Sequence, residues 1–130
     1  MMKRAKDSLD LGVVVSDIKA SLNFYQELLG LEFKGETPLP FGTMYRMGFG
    51  TSDFKLILPN KMPEKGKVGL TGQLGLRYVT FVIENLTEVC DRLKANGVEF
   101  AMDVTELRPG VTIAMVKDPD ENIVEFVKYG

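Results

Sequence analysis

The stretch Asp118-Pro-Asp-Glu-Asn-Ile-Val-Glu-Phe126 sets one carboxylate, Glu125, among apolar neighbours in a chain of 130 residues that contains no histidine. A carboxylate so placed can accept hydrogen bonds from a ligand, hold a cation, or take a proton as a general base. Glu125 is therefore the candidate catalytic residue. Acid-base work with Tyr78 or Lys55 is open to it on residue type alone, and the bland alternative is an ion pair with Arg46 or Lys55. The lack of histidine removes every Ser-His or Cys-His pair and the imidazoles that commonly hold a transition metal. The segment Gly48-Phe-Gly-Thr-Ser-Asp-Phe54 reads as a hairpin turn instead of a helix-opening phosphate loop. Cys90, between Val89 and Leu93 at helical spacing, reads as a small core hydrophobe.

Composition narrows the class. With 16 basic and 18 acidic residues, a net charge of −2 and no basic stripe, no nucleic-acid partner is expected. The longest clean apolar run, Leu11-Gly-Val-Val-Val15, is far short of a membrane span, and Met1-Met-Lys-Arg-Ala-Lys-Asp-Ser8 lacks the apolar region of a secretion signal. A cytoplasmic protein is expected, in keeping with a lone Cys90 that cannot form an intrachain disulfide. At 45% hydrophobic, the chain is expected to form a single domain over residues 1–130.

The elements that must position these residues come twice. The segment starting at Asp10, DLGVVVSDIKASLNFYQELLGLEF, matches that starting at Tyr78, YVTFVIENLTEVCDRLKANGVEF. Each is an apolar strand followed by a helix N-cap, Asp17 or Asn85, with Glu88 completing a capping-box variant in the second. Apolar residues then recur at helical spacing, at Ile18, Leu22, Tyr25 and Leu29 and at Leu86, Val89 and Leu93, until a glycine stop, Gly30 or Gly97. The segment from Gly42 aligns with that from Gly110, so Asp10 corresponds to Tyr78 and Ile57 to Glu125, with one residue lost in the second helix. Both halves read as strand, helix and three strands, the last two joined across Gly50-Thr51 or Pro119-Asp120. The predicted fold is α+β: tandem βαβββ modules over about 9–58 and 75–129, a linker over about 59–74, and a curved mixed sheet around a concave cavity.

Period-two alternation, counted back from hairpins with even loops, sorts the side chains. Leu11, Val13, Val15, Tyr45, Met47, Phe49, Phe54, Leu56 and Leu58, and in the second half Val79, Phe81, Ile83, Ile113, Met115, Val124 and Phe126, are expected to face the helices. The opposite, more polar face is expected to carry Asp10, Gly12, Val14, Met44, Arg46, Lys55 and Ile57, and Tyr78, Thr80, Thr112, Ala114, Ile123 and Glu125. Few polar groups on a mixed floor suit a small-molecule site. The expected ligand-binding residues are Asp10, Met44, Arg46, Lys55, Ile57, Tyr78, Thr80, Thr112, Ala114 and Glu125.

This tandem layout, with VVVSDIKASLNFYQELLGLEF in the first half and DPDENIVEF closing the second, resembles the vicinal oxygen chelate superfamily, which includes glyoxalase I, extradiol dioxygenases and bleomycin-resistance proteins. The resemblance covers roughly Leu9 to Tyr129 and implies the fold more specifically than any activity. In metal-dependent members, the first strand of each module supplies histidine and the last supplies glutamate or a similar donor. Carried over, those positions fall on Asp10, Ile57, Tyr78 and Glu125, of which only Glu125 keeps the family's residue. No cofactor is expected; a weakly held, mostly hydrated divalent metal on Asp10 and Glu125 is the alternative. Members of the family often have glycine where this chain has Glu121, which implies another turn type or a left-handed Asn122.

The function expected is a metal-free, non-catalytic binder of a small organic molecule, assembled as a homodimer. The alternative is a divergent lyase, isomerase or dioxygenase-like enzyme using Glu125 and Asp10. A third reading, an interaction module, requires that side chains fill the concave face.

Overall fold

In the computed structural model, which describes all residues from Met1 to Gly130, the strands fall into two four-stranded mixed sheets. The chain divides into two compact units, Met1–Glu64 and Lys65–Gly130.

In the first unit, β1 (Leu11–Val14) leads to α1 (Ile18–Leu22), which continues as a π-helical segment, Asn23–Leu28, and then to β2 (Glu32–Leu39), β3 (Gly42–Phe49) and β4 (Ser52–Pro59). The sheet order is β1-β4-β3-β2, with β1 parallel to β4 and the remaining pairs antiparallel. Asp17 caps α1 by accepting from the Ala20 N–H at 3.1 Å. The first helix has one residue more between cap and glycine stop than the second, and the π-helical segment absorbs it. There the Leu29 N–H reaches back five residues to the Phe24 carbonyl at 3.0 Å, as an extra residue in a helix requires. Gly30 then ends the segment at φ 81°, a conformation that strains residues with a Cβ. Tyr25 packs against Phe54 with ring centroids 4.6 Å apart, so the helix lies on the face of Met47, Phe54 and Leu56, all buried.

In the second unit, β5 (Tyr78–Val82), α2 (Leu86–Ala95), β6 (Phe100–Arg108), β7 (Val111–Lys117) and β8 (Ile123–Tyr129) repeat the order, and the sheet runs β5-β8-β7-β6 with β5 parallel to β8. Buried Leu86, Cys90 and Leu93 of α2 form the helix side of this core, with Val124 and Phe126 from the sheet. Asn85 does not cap α2 through its side chain; its amide donates to Glu88 at 3.1 Å instead. The Cys90 thiol is pushed up in pKa by burial, which keeps it protonated and inert.

The first-half register agrees with the face assignment, since Arg46 pairs with Lys55, Met44 with Ile57 and Met47 with Phe54. The second half corrects it. The β7–β8 loop has three residues, Pro119 to Glu121, bracketed by the Asp118 N–H bonded to the Asn122 carbonyl at 2.9 Å. It combines a turn, in which the Glu121 N–H donates to the Asp118 carbonyl at 2.9 Å, with a left-handed residue. That residue is Glu121 itself, at φ 67°, so the position keeps a positive φ without its glycine and Asn122 is not the left-handed residue. Asp118 is buried, and its carboxylate accepts from the Asp120 N–H, the Asn122 N–H and the Asn122 side-chain amide at 2.8–2.9 Å.

An odd loop turns β7 over relative to the even-loop count. Ala114 pairs with Phe126 and Val116 with Val124, while Met115 pairs with Glu125 and Ile113 with Val127. Thr112 and Ala114 therefore leave the Glu125 face for the helix side, and Ile113 and Met115 take their place.

Asp118→Ala removes the acceptor for several loop N–H groups. It is expected to cost about 2–4 kcal/mol, measured by urea unfolding, whereas Asp118→Asn retains part of that stability. A loss no larger than that of an exposed surface alanine would contradict this role for Asp118.

Candidate functional site

Glu125 occupies the face of the second sheet opposite α2. Its β5 neighbour in register is Thr80 and its β7 neighbour is Met115. The Thr80 hydroxyl donates to Glu125 Oε1 at 2.7 Å. Ile123 and Val127 lie on the same face along β8, and with Ile113 and Met115 they form a buried apolar cluster against which Val111 packs. The face is thus filled over β7 and β8, and its polar, accessible part is the β5 side: Thr80, and Tyr78 at 57% exposure. Glu125 finds its polar partner in Thr80, within its own unit.

On the first sheet, Asp10 Oδ1 accepts from Lys6 Nζ at 2.6 Å and from the Asp53 N–H at 2.8 Å. Lys6 also donates to the Thr51 carbonyl, as does the Ser8 hydroxyl, at 3.1 and 3.0 Å. Asp10 thereby fastens the N-terminal segment to the β3–β4 turn. The Lys6 ammonium, followed by the Asp53 N–H, holds its carboxyl below the ordinary 3.8. Arg46 faces Asp53 at 3.7 Å, and Lys34 holds the other oxygen of Asp53 at 3.2 Å. Lys34 reaches it across Gly48, where a Cβ would stand 2.5 Å from the lysine Cε. Lys55 makes no ion pair and sits beside Arg46 on the same face, next to the apolar pair Met44 and Ile57.

The structure thus brings Met44, Arg46, Lys55 and Ile57 together on the first sheet and Tyr78, Thr80 and Glu125 together on the second. Residues missed in the sequence are Lys34 and Asp53, which complete the charge network, and Ile113 and Met115. A β-bulge between Phe33 and Gly35 puts Lys34 out of alternation, so period-two counting could not place it. Gly48 was the one available signal, because only a residue without a side chain lets another cross it.

The model of the Glyoxalase/Bleomycin resistance protein/Dioxygenase superfamily matches residues 9–126. The chain belongs to this superfamily. Among relatives, the lactoylglutathione lyase of Neisseria meningitidis serogroup A is 27% identical over 120 residues, covering 88% of this chain and 84% of that protein. The lactoylglutathione lyase of Escherichia coli O157:H7 is 23% identical, with 88% and 86% covered. Among solved structures, a glyoxalase family protein from Enterococcus faecalis aligns with TM-score 0.77 at 24% identity, over 95% of this chain and 98% of that one. TnmS3, an antibiotic binding protein from Streptomyces sp. CB03234, aligns with TM-score 0.72 at 23% identity, over 98% and 100%. Likeness at these identities establishes the fold.

The superfamily's metal positions do not fit a transition metal in this member. In the first unit Ile57 has no donor atom, and Asp10 is occupied by Lys6 and the Asp53 N–H. In the second, a neutral tyrosine is a poor donor, which leaves Glu125. No group of three or more His, Cys, Asp or Glu side chains is placed to hold an ion.

Two outcomes follow. Glu125→Gln keeps an oxygen for Thr80 and is expected to change stability by less than about 1 kcal/mol in denaturant unfolding; a large loss would assign Glu125 to the fold. The folded-state pKa of Asp10 is depressed, so its contribution is present above the ordinary pKa and is lost as pH falls through the folded value. Asp10→Asn is therefore expected to flatten the fall in stability below about pH 4, with no change of slope near neutrality. An unchanged acid limb would show that the Lys6–Asp10 contact contributes nothing.

Proposed function

We propose that this superfamily member binds a small organic molecule without resident metal and without chemistry, acting by sequestration. The observation that carries this reading is the state of Asp10 at a position where metal-dependent relatives place a ligand. Its carboxylate serves as a structural clip, while accessible polar groups remain on the same sheets: Arg46 and Lys55 on one, Thr80 and Tyr78 on the other. The antibiotic-binding likeness of TnmS3 supports it, because binding alone is compatible with this fold. The ligand-contacting residues proposed are, on the first sheet by itself, Met44, Arg46, Lys55 and Ile57 and, on the second by itself, Tyr78, Thr80 and Glu125.

The second reading is a divergent lyase using Glu125 with a loosely held divalent ion, and the lactoylglutathione lyase relatives favour it. Any part for Asp10 in such chemistry requires that carboxylate first to release Lys6 and the Asp53 N–H. The chain is further proposed to form a two-fold homodimer. β1 and β5 are the end strands of their sheets and carry exposed Val14, Val82 and Tyr78, and the free backbone groups of an end strand favour pairing.

Thermal unfolding of the purified protein with zinc, nickel, cobalt or manganese, and separately with a small-molecule library, tests the leading reading. A ligand at one hundred times its Kd adds about 2.7 kcal/mol, so library hits are expected to raise Tm in the presence of chelator, with no stoichiometric metal by elemental analysis. About one tightly held metal per chain, lost in Glu125→Ala, or lactoylglutathione lyase activity on metal addition, would overturn it. Light scattering is expected to return twice the chain mass; a monomer at micromolar concentration would refute the dimer.

A further inference from the structure

One row of residues crosses the middle of the first sheet, one from each strand: Gly12, Lys55, Arg46 and Gly35. Its centre places two cations side by side on one face, an arrangement that is repulsive by itself. The surrounding carboxylates offset it only in part, Asp53 through its pair with Arg46 and Asp10 through its charge acting on Lys55 at a distance. Arg46 approaches Asp53 no nearer than 3.7 Å while Lys34 holds that residue's other oxygen, Asp10 is taken by Lys6, and Lys55 has no ion pair.

The glycines at the ends of the row leave space beside both cations. Gly35 has its own conformational reason, a φ of 152° at the β-bulge. Gly12 has none: its φ is not in the left-handed region, and a Cβ built there meets nothing within 4 Å. Glycine weakens a strand interior, so neither backbone nor packing accounts for it. What it provides is room beside Lys55, its partner in the register. The neighbouring row on the same face is Val14, Ile57, Met44 and Thr37, an apolar floor with Val14 53% exposed. Rows two residues apart along a strand lie about 7 Å from each other, roughly the width of an aromatic ring.

We propose that this face is a subsite for an amphiphilic anion, whose oxyanion head rests on Arg46 and Lys55 and whose apolar body lies over Val14, Ile57 and Met44. The inference rests on reading the chain as a small-molecule binder and names the chemical class that this sheet selects. The head can be a carboxylate, a sulfonate or a phosphate ester, since Arg and Lys recognise the shared charge and oxygen acceptors.

The test uses 2-naphthoate and its neutral analogue 2-naphthylmethanol, followed by isothermal titration and by the amide NMR signals of Gly12 and Gly35. Naphthoate is expected to shift both glycine signals saturably, to bind at least roughly tenfold more tightly than the alcohol, and to weaken as salt screens the cations. Arg46→Gln and Lys55→Gln are each expected to lower naphthoate affinity roughly tenfold and to leave the alcohol unchanged. Gly12→Val is expected to weaken naphthoate while unfolding stability stays the same or rises, which separates lost space from lost fold. Equal binding of the two probes, variants that leave naphthoate affinity intact, or no naphthoate binding at millimolar concentration would overturn the subsite. Naphthoate binding that needs added zinc yet is lost in Lys55→Gln would support the subsite while overturning the metal-free reading.

Discussion

Side chains alternate strictly along a strand, so the parity of a hairpin loop decides which residues of one strand meet which face of the next. The buried Asp118 carboxylate enforces that parity here. By accepting from Asp120 and Asn122 it stabilises a three-residue loop in which Glu121 is held left-handed without a glycine. An exposed ion pair from Lys65 to Glu121 adds to this, raising the pKa of the lysine and lowering that of the glutamate through their hydrogen bond. Everything on the second sheet depends on this loop. Small Ala114 fits against Phe126 and the helix side, and Met115 stands beside Glu125. An even loop would exchange them, putting methionine and isoleucine into a core that already holds Phe81 and Phe126, and alanine beside the carboxylate.

The two halves share element order but have diverged in the chemistry of their exposed faces. The first sheet carries Lys34, Arg46 and Lys55, with Asp53 shared between Lys34 and Arg46, Lys34 crossing Gly48 and Gly12 beside Lys55. The second keeps a single carboxylate, satisfied by a neighbouring threonine and bordered by Ile113, Met115, Ile123 and Val127. Buried apolar area favours folding non-directionally, while the cation row gives directional recognition at a cost in repulsion. The first sheet is therefore the better platform for a charged ligand.

Element order, the β3–β4 and β7–β8 hairpins and the first-sheet faces were legible because they rest on signals local to a few residues: Asp17 before an apolar helical stripe, Gly30 and Gly97 at helix ends, and the two-residue Gly50-Thr51 turn. The extra residue of the first helix was visible as a count, although its resolution as a π turn at Asn23–Leu28 was not, because that depends on how Tyr25 seats against Phe24 and Phe54. Thr112 and Ala114 were misplaced by one residue of loop length, which Asp118 decides through side-chain hydrogen bonds that composition does not encode. Asp10 was visible as a candidate. Its actual role depends on Lys6 and Thr51, brought to it only when the N-terminal segment lies along the turn.

The same alternation explains how positions on the face away from the helices can vary without loss of the fold. Met47, Phe54 and Leu56 in the first unit, and Ala114, Val124 and Phe126 in the second, build their cores on the helix side. Positions 10, 57, 78 and 125 point the other way. A change on that face removes no contact with the helix side, so each position is open to its own surroundings. Ile57 joins Val14 and Met44 in an apolar row, Asp10 becomes a clip for the N-terminal segment, and Glu125 settles on Thr80. Arg46 and Lys55 share that face, so two cations can lie next to each other at the middle of a sheet whose stability is secured on its opposite side.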